Sequence, residues 1–124
     1  MSESSLSDLG ERTFRFACDV VRYSRELAKE PGIVRHIAGQ LADAGTSSAA
    51  NYQEAKAAYS RRDFSAKNSI VLKELRESKL WLRIVVACEL GPLAPAQRLL
   101  DEADELVAIF TTSMKRLRPI PSPN

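Results

Sequence analysis

Apolar positions recur every three or four residues through most of this chain, and clusters of proline and glycine interrupt the recurrence. The clusters are Pro31-Gly32, Gly91-Pro92 with Pro95, and Pro119, Pro121 and Pro123. Between them the spacing predicts four helices. The first runs over about 7–29, with Phe16, Val20, Leu27 and Ala28 on one face. Asp8 and Glu11 in its first turn suit the positive end of the helix dipole. The second runs over about 33–59, and Ile37, Leu41, Ala44, Ser48, Asn51, Ala55 and Ala58 form its inward stripe. That stripe is mostly small, so a neighbouring helix can approach closely. Gly39 and Gly45 each cost ~1 kcal/mol against alanine in a helix interior, but the apolar period continues on both sides of them.

Ser60-Arg61-Arg62-Asp63 reads as a capping box with a short acid in the glutamate position, and it opens a third helix over about 61–89. Phe64, Val71, Leu75, Ser78, Leu82 and Val85 face one way on this helix, while Ile70, Glu74, Trp81 and Ile84 lie on an adjoining strip. A fourth helix covers about 95–117, with Leu99, Ala103, Leu106, Val107, Phe110, Met114 and Leu117 in helical period. Pro95 is tolerated in a first turn, Pro119 ends the helix, and 119–124 reads as a flexible tail. No alternating strand pattern occurs. Four helices with short connections predict an all-α, antiparallel up-down four-helix bundle.

The chain has 124 residues, 44% hydrophobic and 27% charged, which fits a single domain over 1–124 with one core. No segment reaches the ~20 apolar residues that a membrane span needs. The start, MSESSLSDLGE, is polar and acidic and lacks the pattern of a signal peptide. A cytoplasmic location and no membrane partner are therefore expected. Cys18 and Cys88 each sit in an apolar stretch and read as buried free thiols. With one histidine, His36, and two scattered cysteines, no metal site of usual spacing can form, and no cofactor motif is present.

Net charge is +2 with 18 Lys and Arg, but its distribution says more than its size. Cations outnumber acids between Arg12 and Arg83. An acidic block then opens the fourth helix at Asp101, Glu102, Asp104 and Glu105, and Lys115, Arg116 and Arg118 turn the end basic again. The charge is dipolar.

Residues 40–82 carry a family resemblance. The "N-x-x-E-A" at Asn51-Glu54-Ala55, the "S-x-x-D-F" at Ser60-Asp63-Phe64 and the "L-K-E-L-R-E-x-x-x-W-L" from Leu72 to Leu82 resemble the bacterial four-helix bundle proteins encoded in intervening sequences of 23S ribosomal RNA genes. Phe16 and Pro31 also fit, whereas Ala55 stands where many members carry glycine. The resemblance implies a ring-like homo-oligomer, commonly a pentamer. A group similar in fold, the accessory proteins of diversity-generating retroelements, binds nucleic acid and a reverse transcriptase. RNA, DNA, a reverse transcriptase or another protein are the partners this implies.

Two constellations stand out. Arg12, Arg15, Arg22 and Arg25 on the first helix, Arg61 and Arg62 at the turn, and Arg76, Lys79 and Arg83 on the third form a candidate nucleic-acid-binding surface. No base-reading motif accompanies it, so binding would be backbone-driven. Asn51, Glu54, Lys67, Lys73, Glu74 and Glu77 with Trp81 form a candidate polar network, expected to join the carboxylates to Lys67, Lys73 or Arg12 between helices or subunits. Trp81 beside Ile70 and Ile84 makes a second apolar strip that asks for another partner. No nucleophile, phosphate loop or acid–base pair points to an enzyme. The rival reading is a protein adaptor whose partner docks on the acidic start of the fourth helix.

Overall fold

The computed structural model describes residues 8–117. Among them four helices form and no strand: α1 (Leu9–Leu27), α2 (Ile33–Lys56), α3 (Arg61–Ala87) and α4 (Leu93–Leu117). The tail over 119–124 and Arg118 lie outside the described residues.

Local chemistry sets the helix ends. Pro31 disfavours helical backbone at Glu30, and α1 ends before it at Leu27 rather than 29, closing with Ala28 N–H on Ser24 O at 2.8 Å. Gly32 enters α2 at φ 86°, a backbone conformation that side chains resist. The cap of α3 is the expected one: Ser60 is extended and its hydroxyl accepts from the Asp63 N–H at 3.0 Å. At its other end Glu89 takes φ 52°, Leu90 N–H reaches Val85 O at 3.0 Å and Glu89 N–H reaches Val86 O at 3.2 Å. This is a Schellman closure with glutamate in the position usually taken by glycine. Helix α4 starts two residues earlier than expected, with Pro95 still in the first turn, where the missing N–H costs nothing.

Each helix runs antiparallel to the next. A side chain at Gly10 would meet Lys56 and Tyr52, and one at Gly45 would meet Val20, so the start of α1 lies beside the end of α2. Lys79 pairs with Asp104 and Arg61 with the Arg116 carbonyl, which sets α3 against α4 in the same sense. Phe16, Val20, Leu41, Val71, Leu75, Leu82, Val85, Leu106 and Phe110 fill a continuous core. The α1–α4 seam is the sparsest contact between neighbours. Tyr23 spans it by donating to Pro92 O at 3.0 Å.

Gly45 has a role that its helix propensity hides. A Cβ there would lie 2.8 Å from Val20 Cγ1, and Val20 is fully buried and cannot yield. Nothing lies within 4 Å of a Cβ at Gly39. Gly39→Ala should therefore stabilise the protein by ~1 kcal/mol. Gly45→Ala should destabilise it by a net ~1–2 kcal/mol, because overpacking outweighs the same propensity gain. Urea titrations of the two variants should move in opposite directions; a shift in the same direction would contradict the close α1–α2 approach.

Candidate nucleic-acid interface

The third helix sorts its charges. With 3.6 residues per turn, Arg76 and Lys79 share the flank turned towards α4, and Arg83 returns to it seven residues after Arg76. Glu74 and Glu77 fall on the other side, towards α2. The α4 flank is fixed by contact: Lys79 Nζ lies 2.6 Å from Asp104 Oδ1. Next to that pair the α3–α4 seam opens into a groove of about 340 Å³ lined by Ser69, Leu72, Lys73 and Arg76 of α3 and Thr111, Met114 and Lys115 of α4. Three cations line it and no acid does. Leu72 and Met114 give it an apolar floor, while Lys73, Arg76 and Lys115 are exposed around it. Towards the end of the bundle the basic character continues. Arg61 Nη2 donates to Arg116 O at 3.4 Å, holding the start of α3 to the last turn of α4, and Arg62 is exposed beside it.

The first helix behaves differently from its expected role. Arg12 is a clamp, not a free cation. Its Nη2 donates to Glu102 Oε1 at 2.7 Å and its Nε to Glu102 Oε2 at 3.2 Å, with Glu105 at 3.3 Å. The bond to Glu102 holds the guanidinium pKa above its usual value against the opposing effect of burial. Bidentate pairing of this kind is strong and directional, and it removes Arg12 from the binding set. Lys79 is likewise committed to Asp104. Arg15 lies 3.8 Å from Glu11 and Arg22 lies 3.0 Å from Asp19. These pairs are exposed and weak, so both arginines stay available but half-neutralised. Arg25 makes no ion pair among the described residues.

The same pairs use up the acidic start of α4. Arg12 takes Glu102 and Glu105, Lys79 takes Asp104, and Asp101 accepts from Gln97 Nε2 at 2.9 Å. Of the surface on which an adaptor's partner would dock, Glu102 is held in the Arg12 clamp, while Asp101, Asp104 and Glu105 stay exposed in their pairs.

The expected polar network does not form within one chain. Among the described residues no ion pair joins Glu54, Glu74 or Glu77 to Lys67, Lys73 or Arg12. Lys73 adjoins Glu74 in sequence, and adjacent helical residues do not face each other; Lys73 and Glu77 are one turn apart on the same face but make no ion pair. Lys67 stands seven residues away, ~10 Å along the axis. Asn51 instead donates to Ser47 O at 2.9 Å, and Glu54 is exposed. Glu74 is half-buried, and burial with help from Glu77 pushes its carboxyl pKa up while Lys73 pulls it back. Trp81 packs on the core with its Nε1 buried and without an acceptor. The thiols also depart from expectation: Cys18 is only half-buried and Cys88, at the C-cap of α3, is exposed. Among the described residues no group of three or more His, Cys, Asp or Glu is placed to hold a metal ion. No helix among them is long and apolar enough to cross a membrane.

The chain matches the family model described as 23S rRNA-intervening sequence protein over residues 7–112. It belongs to that family. In this intervening-sequence protein the motif residues have structural explanations: Ser60 and Asp63 form the α3 cap, Leu75 and Leu82 are fully buried, and Trp81 packs beside them. A solved structure of a protein of unknown function from the S23 ribosomal protein family of Bacteroides thetaiotaomicron is similar, with a TM-score of 0.77 and 27% identity. The likeness covers 86% of this chain and 97% of that one. Among curated proteins none matches.

The basic groove was only partly visible in the sequence. Arg76 stood in the expected set, but Lys73 was placed in the polar network and Lys115 in neither. The four-residue spacing from Thr111 to Lys115 on α4 was the available signal, and it needed the α3–α4 pairing to acquire meaning.

Proposed function

We propose that this intervening-sequence protein is a non-catalytic, self-associating accessory protein of the cytoplasm that binds the phosphate backbone of nucleic acid along its α3–α4 flank. The observation that carries the reading is the groove with Lys73, Arg76 and Lys115 around it and no carboxylate. Phosphates entering such a groove meet uncompensated positive charge and release their counterions. The family name and the name of the solved relative refer to ribosomal RNA and to a ribosomal protein family, which agrees with a nucleic-acid partner. The groove floor is aliphatic and carries no set of side chains arranged to read base edges, so sequence preference should be weak. Assembly into a ring, of five copies as the resemblance implies, would repeat the flank around the particle and multiply a modest charge per chain.

The test is a fluorescence-anisotropy titration with structured RNA and with duplex DNA at ~50 and ~200 mM salt. Three phosphate contacts per chain give a salt slope of about −2.7 for duplex DNA, hence a loss of affinity of about 40-fold over that range. No binding at the lower salt, or an affinity indifferent to salt, would remove the reading.

A further inference from the structure

One strip of α1 and one of α3 each combine exposed apolar side chains with a charge that has no ion-pair partner among the described residues. On α1, Phe14 is 56% and Val21 42% exposed. With Ala17, Cys18 and Thr46 of α2 they line an apolar hollow of about 420 Å³ at the α1–α2 seam. Arg22 and Arg25 rim it; Arg22 is held by Asp19, and Arg25 has no ion pair among the described residues. On α3, Ile70 is 38% exposed, and Trp81 and Ile84 are half-buried along the same side. Glu74 and Glu77 stand among them without an ion-pair partner among the described residues. Phe14 and Val21 are seven residues apart, as are Ile70, Glu77 and Ile84, the spacing of helix seams that pack against another helix.

We propose that copies of this chain assemble by seating the Phe14–Val21 strip of α1 in one copy on the Ile70–Glu77–Ile84 strip of α3 in another, with Arg25 facing Glu77. The inference rests on the self-association in the reading above and deepens it by naming the two surfaces. Each strip is a poor partner for itself, because two arginine rims or two glutamate rows would be brought together. Each is a good partner for the other: apolar side chains meet, and two unpaired charges of opposite sign meet at the edge. The arrangement brings a cation towards Glu74, whose charged carboxylate is disfavoured by burial and by Glu77, against the pull of Lys73, in the single chain.

The experiment is a charge swap read by light scattering at micromolar concentration, with circular dichroism as the check on folding. The wild-type chain should scatter as a multiple of 13.7 kDa. Arg25→Glu alone and Glu77→Arg alone should each weaken assembly by at least ~10-fold, because like charges then face each other. The double variant should restore it. Phe14→Asp should yield a folded monomer. An assembled wild type whose state neither single reversal alters, or whose double variant stays dissociated, overturns these surfaces while leaving self-association standing. A wild-type monomer at ~100 μM overturns both.

Discussion

Phe110→Ala should cost the fold about 3–5 kcal/mol. The ring is fully buried and meets Tyr52 edge-on, with centroids 5.5 Å apart and planes at 87°. Tyr52 belongs to α2 and Phe110 to α4, so this pair ties together two helices that are diagonal in the bundle. Truncation removes the transfer free energy of the ring and the edge-to-face attraction of ~0.5–1.5 kcal/mol, and leaves a cavity in the core. A small domain has ~5–15 kcal/mol of stability in total, so the variant should lose a large part of it. Urea unfolding followed by circular dichroism measures the difference. A loss below ~1.5 kcal/mol would show that the core closes over the gap and is less tightly packed than described.

What the sequence revealed and what it hid divide by range. The α3 cap at Ser60 and Asp63, the break at Pro31 and the tolerance of Pro95 are local chemistry, legible within four residues. The buried faces were legible too, since Val71, Leu75, Leu82 and Val85 follow the helical period and are all fully buried. The Glu89 closure was not, because glutamate does not announce a left-handed backbone as glycine does. Gly45 looked like a propensity cost until Val20 was seen against it. Charge pairing was the largest gap. Arg12 and Glu102 are 90 positions apart, and periodicity tells which face of its own helix a residue occupies, not which side chain stands opposite. Hence Arg12 was set in the cation surface and offered as a partner only to Glu54, Glu74 or Glu77, Lys79 was read as a surface cation, and Lys115 was left out of the groove it lines. The outer strip of α1 drew no reading: Phe14 and Val21 fall off the Phe16–Val20–Leu27 face, and only the packed bundle shows how far they stay uncovered.

If the α3–α4 flank, and not the arginines of α1, meets nucleic acid, removing its cations should abolish binding. Lys73→Glu, Arg76→Glu and Lys115→Glu together replace all three groove cations with acids. The side chains are exposed and make no ion pair among the described residues, so the bundle should stay helical and assembled. Three lost phosphate contacts should flatten the salt slope on duplex DNA by about 2.7 and, with repulsion added, reduce affinity at ~50 mM salt by at least ~100-fold. Arg15→Glu with Arg22→Glu is the matched control, because those side chains are already half-neutralised by Glu11 and Asp19, and it should weaken binding by less than ~10-fold. In an anisotropy titration of the two variants beside the wild type, the groove variant alone should lose nearly all binding. A groove variant that binds as tightly as wild type, or an α1 variant that loses more, would contradict this assignment.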